Sequence, residues 1–159
     1  MVPCAAMAGR TVQLRVGGQT YRVVTSASDE ELQRLCQGRA VLLVEDDAVN
    51  RIVTSELIRA VADLVVDAAE DGATAVEMAA SKPDDLILMD MQLPGIDGLE
   101  ATRQIHALPG CAGLPIVALT ANVLAEDVTR CIDAGMVGHL GKPVVAEELR
   151  QLFRQRFGG

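Results

Sequence analysis

Three acidic residues stand where apolar runs of the chain end. Asp90 closes the run 86–89 and leads into a loop that contains Pro-Gly, and Glu45 and Asp46 close the run 40–44. A short apolar run that ends in a turn signal is typical of a buried strand. In an open α/β sheet, chemistry lies beyond the carboxyl ends of the strands. Carboxylates brought together there repel one another unless a cation joins them, and Mg²⁺ suits oxygen ligands.

A hydroxyl and an amine occupy similar positions further along the chain. Thr120 follows the apolar run 114–119, and Lys142 precedes Pro143 after a fifth run. A carboxylate can attack a phosphoryl group and hold it as an acyl phosphate. A lysine and a divalent cation would neutralise the charge of the transferring group, and a hydroxyl would donate to one of its oxygens. The set therefore predicts phosphoryl transfer to Asp90.

A plainer reading exists for each of these residues. Strand-terminal acids and hydroxyls are often helix caps or turn residues, and Lys142 alone would pass for a solvated loop lysine. We expect Asp47 and Asp97 to be caps of this kind rather than ligands. The chemical reading is favoured because the acids, the hydroxyl and the lysine occur together, each at the end of a predicted strand.

The elements that position these residues form a repeating pattern from residue 39 onward. Apolar residues at helical spacing follow each of the predicted strands, which lie near 40–45, 64–69, 85–90, 114–119 and 138–141. Five consecutive β–α units predict a parallel sheet covered by helices on both faces, with right-handed crossovers. Such a sheet places the carboxyl ends of its strands at one edge.

Residues 1–38 follow a different pattern. Alternating residues at 11–16 and 20–25 flank Gly17-Gly18, which predicts a hairpin, and a short helix should follow it. A hairpin alone is marginally stable in water. We therefore interpret 1–38 as an N-terminal extension or linker that packs on the main domain or belongs to a larger protein.

Composition excludes several classes of partner. The net charge of −8 and the absence of a basic stretch interleaved with aromatics argue against nucleic acid. The four cysteines form no Cys-x-x-Cys pair, so free thiols in a reducing compartment are expected. Neither a membrane-length apolar stretch nor a secretion signal is evident. We expect a cytoplasmic location without membrane contact by this segment, although a longer parent protein could be anchored.

Four ordered stretches resemble the receiver domain of two-component response regulators, most closely that of hybrid sensor histidine kinases. They are 41–47, 89–101, 118–122 and 134–143, and the resemblance spans about residues 39–157. It implies a flavodoxin-like, doubly wound five-stranded sheet of order 2-1-3-4-5. It also implies a signalling phosphoacceptor rather than a separate enzyme, with Mg²⁺ as cofactor. The implied partner is a histidine kinase or a histidine-phosphotransfer domain, docking near the first helix of the receiver.

The resemblance assigns the metal site and the phosphoacceptor. Asp90 would accept the phosphate. The metal would be held by Glu45, Asp46, Asp90 and the backbone carbonyl of Gln92, with Asp46 the stronger candidate of the acidic pair. The bond before Pro143 is expected to be cis, since X-Pro is the peptide bond at which that isomer costs little.

It also assigns the residues that would respond to phosphorylation. Thr120 and Lys142 would contact the phosphoryl group and change conformation with it, while Gln92 and Asn122 would tune its hydrolysis. His139 stands where the family carries an aromatic switch residue. A histidine there puts aromatic coupling in question and could add pH sensitivity.

Two rival functions remain open at this point. A pseudo-receiver would use the same fold as a docking module without phosphorylation. A phosphohydrolase with an aspartyl-phosphate intermediate would resemble an Asp-x-Asp pattern after the first strand, whereas Asp90 lies on the third strand and is followed by Met91-Gln92. A homodimer through the last helix–strand–helix face is a further expectation.

Overall fold

The computed structural model describes residues 10–25, 27–62, 64–82, 84–121 and 125–157. The chain begins with an antiparallel hairpin and a helix: β1 (Arg10–Val16), β2 (Gln19–Thr25) and α1 (Ala27–Cys36). Five β–α units follow: β3 (Ala40–Val44), α2 (Ala48–Val61), β4 (Val65–Ala69), α3 (Gly72–Ser81), β5 (Leu86–Asp90), α4 (Gly98–His106), β6 (Ile116–Thr120), α5 (Ala125–Asp133), β7 (Gly138–Gly141) and α6 (Ala146–Phe157).

The main sheet has five parallel strands in the order β4-β3-β5-β6-β7. Numbered within the five units, this is the predicted order 2-1-3-4-5, so the flavodoxin-like topology is confirmed. The register pairs Asp90 with Leu119 and Thr120 with Gly141. The carboxyl ends of β3, β5, β6 and β7 consequently lie along one edge of the sheet.

The three central strands are buried along their whole length, which is why they read as continuous apolar runs. Alternate residues of β3 enter two separate apolar clusters, with Val41 and Leu43 on one face and Leu42 and Val44 on the other. Helices cover both faces. The candidate site therefore lies at the carboxyl ends of strands that are buried on both faces.

One predicted strand boundary was wrong in an informative way. The fourth strand was expected at 114–119, but β6 begins at Ile116 and includes Thr120. Pro115 has no N–H to give to a central ladder, although its carbonyl accepts from Ile87 N at 3.0 Å. Leu114 N instead closes a turn on Cys111 O at 3.1 Å. The other strand boundaries agree with the prediction to within one residue.

The predicted hairpin and helix of the N-terminal segment are both present. Gly17 and Gly18 form the turn with φ of 60° and 83°, a conformation that glycine adopts readily. From α1, Leu32 and Cys36 are fully buried in the cluster that contains Phe153 of α6. This helix of the extension therefore shares its apolar contacts with the last helix of the chain.

The described residues also show the state of the cysteines and the character of the helices. Its three cysteines, Cys36, Cys111 and Cys131, are free thiols, which agrees with the expectation for them. No helix in the described ranges combines the length and the apolarity that crossing a bilayer requires.

Candidate functional site

The acidic residues singled out in the sequence converge at the carboxyl edge of the sheet. Glu45 and Asp90 are almost completely buried, at 2% and 4% exposure, while Asp46 is exposed. Each of the three offers a carboxylate oxygen, and these oxygens all lie within 4.8 Å of one another. The convergence was predicted from strand ends alone, and the structure places the three acids close enough to share an ion.

Lys142 joins the two buried acids. Its Nζ lies 2.8 Å from Glu45 Oε2 and 2.8 Å from Asp90 Oδ2. The lysine is held in place by its backbone, because Lys142 N donates to Thr120 O at 2.8 Å, and the Lys142–Pro143 bond is cis as expected. A single ammonium group thus bridges two carboxylates that come from different strands.

The electrostatics of this cluster follow from burial and charge count. Burial raises the pKa of Glu45, and the neighbouring Asp90 charge raises it further, against the opposing hydrogen bond from Lys142. Burial alone would lower the pKa of Lys142, but hydrogen bonds to Asp90 and Glu45 outweigh it, and the net pKa is raised. Lys142 is therefore charged at neutral pH. With Asp46 included, the cluster has three carboxylates, of which Lys142 pairs directly with Glu45 and Asp90.

The loop after β5 is tied to the phosphoacceptor candidate by backbone contacts. Gln92 N donates to Asp90 Oδ1 at 3.1 Å, and Met91 N donates to Leu119 O at 3.1 Å. Helix α4 begins directly against this loop: a Cβ added to Gly98 would lie 2.4 Å from Asp90 O. Gly98 is thus required for the close approach of the helix to the loop rather than for an unusual φ angle.

The two acids expected to be caps are caps. Asp47 accepts from Asn50 N at 2.9 Å at the start of α2, and Asp97 accepts from Glu100 N at 2.9 Å at the start of α4. Their side chains satisfy helix N-termini, which accounts for both residues without a ligand role.

Glu45 and Asp46 form a turn after β3, which we call the acidic turn. One residue that contacts this turn was not predicted from the sequence. Arg51, in the first turns of α2, donates from Nη1 to Glu45 O at 2.9 Å and to Asp46 O at 3.3 Å. No sequence signal marks this contact, because a half-buried arginine on a helix ordinarily reads as a solvated residue.

The candidate residues line one open cleft of about 810 Å³, whose lining includes Glu45, Asp46, Asp90, Gln92, Thr120 and Lys142. Thr120 is buried at the end of β6. His139 is exposed on β7, opposite Ala118 in the register. Asn122 lies outside the residues that the structure describes.

The donor set of this cleft fits Mg²⁺. Mg²⁺ prefers oxygen ligands at 2.0–2.1 Å, so its octahedral ligands lie about 3 to 4 Å from one another. The three carboxylate oxygens, within 4.8 Å of each other, need to close by less than about 2 Å to reach that spacing. Hard carboxylates without nitrogen or sulfur donors favour Mg²⁺ over softer transition metals.

Comparison with known proteins agrees with the fold. The family model "Response regulator receiver domain" matches residues 41–154. The signal transduction histidine-protein kinase BarA of Escherichia coli is 38% identical over 114 residues, covering 70% of this chain but only 12% of BarA. The chain thus spans a small part of this curated relative.

Two solved structures are similar over most of the described chain. One is the receiver domain of sensor histidine kinase PA1611 from Pseudomonas aeruginosa, with a magnesium ion in its active-site cleft; it has 40% identity, a TM-score of 0.71 and coverage of 77% of this chain and 99% of that one. The other is the receiver domain of Ssk1 from Saccharomyces cerevisiae, crystallised with the histidine phosphotransfer protein Ypd1; it has 28% identity, a TM-score of 0.70 and coverage of 77% and 91%.

The matched model, the strand order and the acidic cluster lead to one assignment: this chain belongs to the response regulator receiver family of two-component phosphorelays.

Proposed function

We propose that Asp90 is the phosphoacceptor of this receiver, and that it takes phosphate from a phosphorylated histidine in a Mg²⁺-dependent reaction. The observation that carries the proposal is the shared Lys142: one ammonium 2.8 Å from both Asp90 and Glu45, beside a third carboxylate. That arrangement concentrates cation-binding groups around one buried carboxylate, which is what phosphoryl transfer to an acid requires.

The transfer itself needs little from the protein beyond positioning. An oxygen of Asp90 forms a bond to phosphorus while the bond between phosphorus and the donor imidazole nitrogen breaks. The electron pair of that bond leaves with the imidazole, which ends neutral after taking a proton. The Lys142 ammonium, 2.8 Å from Asp90 Oδ2, compensates the charge of the incoming group. The Thr120 hydroxyl donates a hydrogen bond to a phosphoryl oxygen.

The metal ligands in this proposal are Glu45, Asp46, Asp90 and the backbone carbonyl of Gln92. Mg²⁺ would supply charge neutralisation at the transferring oxygens. Asp46 is the stronger candidate of the acidic pair for direct ligation because it is exposed to the cleft, whereas Glu45 already pairs with Lys142. The receiver of PA1611 has a magnesium ion in its active-site cleft, which supports Mg²⁺ as the ion that these residues would hold.

The conformational response would pass through Thr120 and Lys142. Phosphorylation adds a charge of about −2, which should draw both side chains toward Asp90 and shift the equilibrium at β6 and β7. His139, at the aromatic switch position, is exposed on β7 and would report that shift. Gln92 and Asn122 are the positions at which we place the tuning of hydrolysis.

The partner we propose is a histidine kinase or a histidine-phosphotransfer domain that docks on α2. Three apolar side chains of this helix, Val49, Ile52 and Val53, are 59–68% exposed and lie next to the acidic turn. Ypd1 bound to the Ssk1 receiver shows that a neighbour of this fold pairs with a phosphotransfer protein. Free thiols at the three described cysteines fit a reducing cytoplasm as the place of this reaction.

A homodimer is the second association we propose. Ile132 lies on α5, and Val137 and Val145 lie in the segments before and after β7; the three side chains are 44–62% exposed. Sedimentation velocity before and after phosphorylation would test this.

Phosphate stoichiometry tests the main proposal directly. The protein is incubated with Mg²⁺ and a small phosphodonor such as acetyl phosphate, and intact mass is measured. We expect one phosphate per chain, lost in Asp90→Ala and retained in the control Glu77→Gln, an exposed acid on α3. No uptake by the wild type would indicate a pseudo-receiver, and continued release of phosphate over many turnovers would indicate a phosphohydrolase.

A further inference from the structure

The acidic turn after β3 brings the side chains of two neighbouring residues, Glu45 and Asp46, to the same side of the chain. In an extended chain, neighbouring side chains point to opposite sides. Glu45 and Asp46 nevertheless both place a carboxylate oxygen within 4.8 Å of the Asp90 carboxylate. The backbone must therefore turn between the two acids, and something must hold that turn.

Arg51 is the group that holds it. The hydrogen bonds between β3 and β4 end with Glu45 N, which donates to Ala69 O at 3.0 Å. The two carbonyls that follow, Glu45 O and Asp46 O, accept from the same Arg51 Nη1 at 2.9 and 3.3 Å. Arg51 is itself fixed, because its backbone N–H makes an early bond of α2 to Asp47 O at 2.9 Å. One guanidinium therefore ties both carbonyls to the start of the helix.

We propose that Arg51 is a positioning residue for the metal site: it fixes the turn that aims Glu45 and Asp46 at a shared divalent cation, and so sets the Mg²⁺ affinity of this receiver. The inference rests on the proposed function, in which these acids bind Mg²⁺. Groups that orient metal ligands without touching the metal commonly change affinity by 10–100-fold when they are removed.

A purely electrostatic role for Arg51 predicts the opposite change in Mg²⁺ affinity, so the direction of that change tests the inference. Removing a cationic side chain next to an acidic cluster strengthens the attraction of that cluster for a second cation. If Arg51 acted mainly as a charge, Arg51→Ala would bind Mg²⁺ more tightly than the wild type. If Arg51 acts by holding the turn, Arg51→Ala binds Mg²⁺ more weakly, by about 10-fold.

The experiment is titration calorimetry of Mg²⁺ into the unphosphorylated full chain, so that the result does not depend on phosphotransfer. The variants are Arg51→Ala and Arg51→Lys, with Arg59→Ala as the matched control. Arg59 is an arginine of the same helix that pairs with Glu56 at 3.0 Å, away from the acidic turn. We expect Arg51→Ala to lose about 10-fold in affinity, Arg51→Lys to fall between, and Arg59→Ala to match the wild type.

Several outcomes would overturn the inference. They are an unchanged or tighter Mg²⁺ affinity in Arg51→Ala, an equal loss in Arg59→Ala, and wild-type affinity in Arg51→Lys, which would show that the turn does not need the guanidinium group. If Arg51→Ala does not fold, Arg51→Lys decides the question, since a lysine keeps the charge but not the reach or shape of the guanidinium. Asp46→Asn distinguishes a failure of the Arg51 inference from a failure of the proposed metal site. A wild type that binds no Mg²⁺, or an Asp46→Asn variant that binds it normally, refutes the metal site itself.

Discussion

The bridging lysine makes a sharp prediction about stability. In Lys142→Met the side chain keeps similar length and apolar bulk, but Glu45 and Asp90 lose the ammonium that lies 2.8 Å from each of them. Both acids then remain buried at the edge of the sheet with like charges near each other. In the absence of a divalent cation, we expect the variant to be clearly less stable than the wild type.

The magnitude can be worked from the geometry. Removing one partner of a buried ion pair costs roughly 3–5 kcal/mol, because the other charge stays buried and uncompensated. Lys142 is about one-quarter exposed, while the carboxylates are 3% and 6% exposed at the side chain. Partial solvation of the lysine places the loss at the lower end, about 3 kcal/mol. Protonation of Glu45, whose pKa is already raised by burial, will recover part of this loss at acidic pH.

Urea unfolding followed by circular dichroism is the appropriate assay, since the chain has no tryptophan and one tyrosine. It is run at neutral pH in EDTA and again in excess MgCl₂. Mg²⁺ at ten times its dissociation constant stabilises the folded state by about 1.4 kcal/mol. The variant should gain more than the wild type, because its acids attract the ion without competition from an ammonium.

A matched control exists in the only other lysine of the chain. Lys82 also precedes a proline, and it pairs with Asp67 on the surface. Lys82→Met should therefore change stability much less than Lys142→Met does. Equal losses for the two lysines, or a Lys142→Met variant as stable as the wild type in EDTA, would refute the reasoning that the site is held by its bridging ammonium.

Three further substitutions test separate features of the chain. Gly98→Ala should lose about 2 kcal/mol of stability and take up phosphate more slowly, because its Cβ would lie 2.4 Å from Asp90 O. The control is Gly113→Ala, where an added Cβ meets no atom within 4 Å. Equal effects of the two substitutions would contradict the predicted clash. Burial raises the pKa of Asp84 from 3.8 to about 6, so the folded state binds this proton more tightly than the unfolded chain does. The contribution of Asp84 to stability therefore falls as pH rises from about 4 to 6, by about 1–2 kcal/mol after allowance for its partial exposure to solvent. In urea unfolding, the stability of the wild type relative to Asp84→Asn should decrease over that pH range, and a constant difference would contradict the raised pKa. Leu32→Ala should cost about 3 kcal/mol because Leu32 is 1% exposed in the core, and an unchanged urea midpoint would show that α1 is not part of the folded unit.

The convergence of the site was predictable because topology alone produces it. Once five β–α units predict a parallel sheet, every residue at a strand end is assigned to one edge. Glu45, Asp90 and Lys142 could be grouped in this way without knowledge of any contact, and the structure brings them within hydrogen-bond distance. The start of the fourth strand was predicted two residues too early. The apolar run begins at Leu114 and continues past Pro115, whereas the strand begins only after the proline, which has no N–H to donate.

Other features depend on contacts that leave no periodic trace in the sequence. The two bonds from Arg51 to backbone carbonyls involve groups that every residue possesses, so no residue type marks the acceptors. The burial of Leu32 against the cluster of Phe153 joins the two ends of the chain, and local spacing could indicate a helix there but not what it packs against. Sequence therefore indicated which side chains meet, but not what orients them.

In the proposed function, the charge balance of the site provides a route for the response to phosphorylation. Before phosphorylation, Lys142 is shared between Glu45 and Asp90. A phosphoryl group on Asp90 would add a charge of about −2, and the ammonium, which has two of its three N–H donors engaged with Glu45 and Asp90, would be drawn toward the new oxygens. Lys142 N is also bonded to Thr120 O, so a shift of the lysine pulls on the β6–β7 ladder as well as on the loop that leads to α6. We therefore expect the change to emerge on the α5, β7 and α6 face, and the loss of chemical-shift changes there in Lys142→Met would identify this residue as the link.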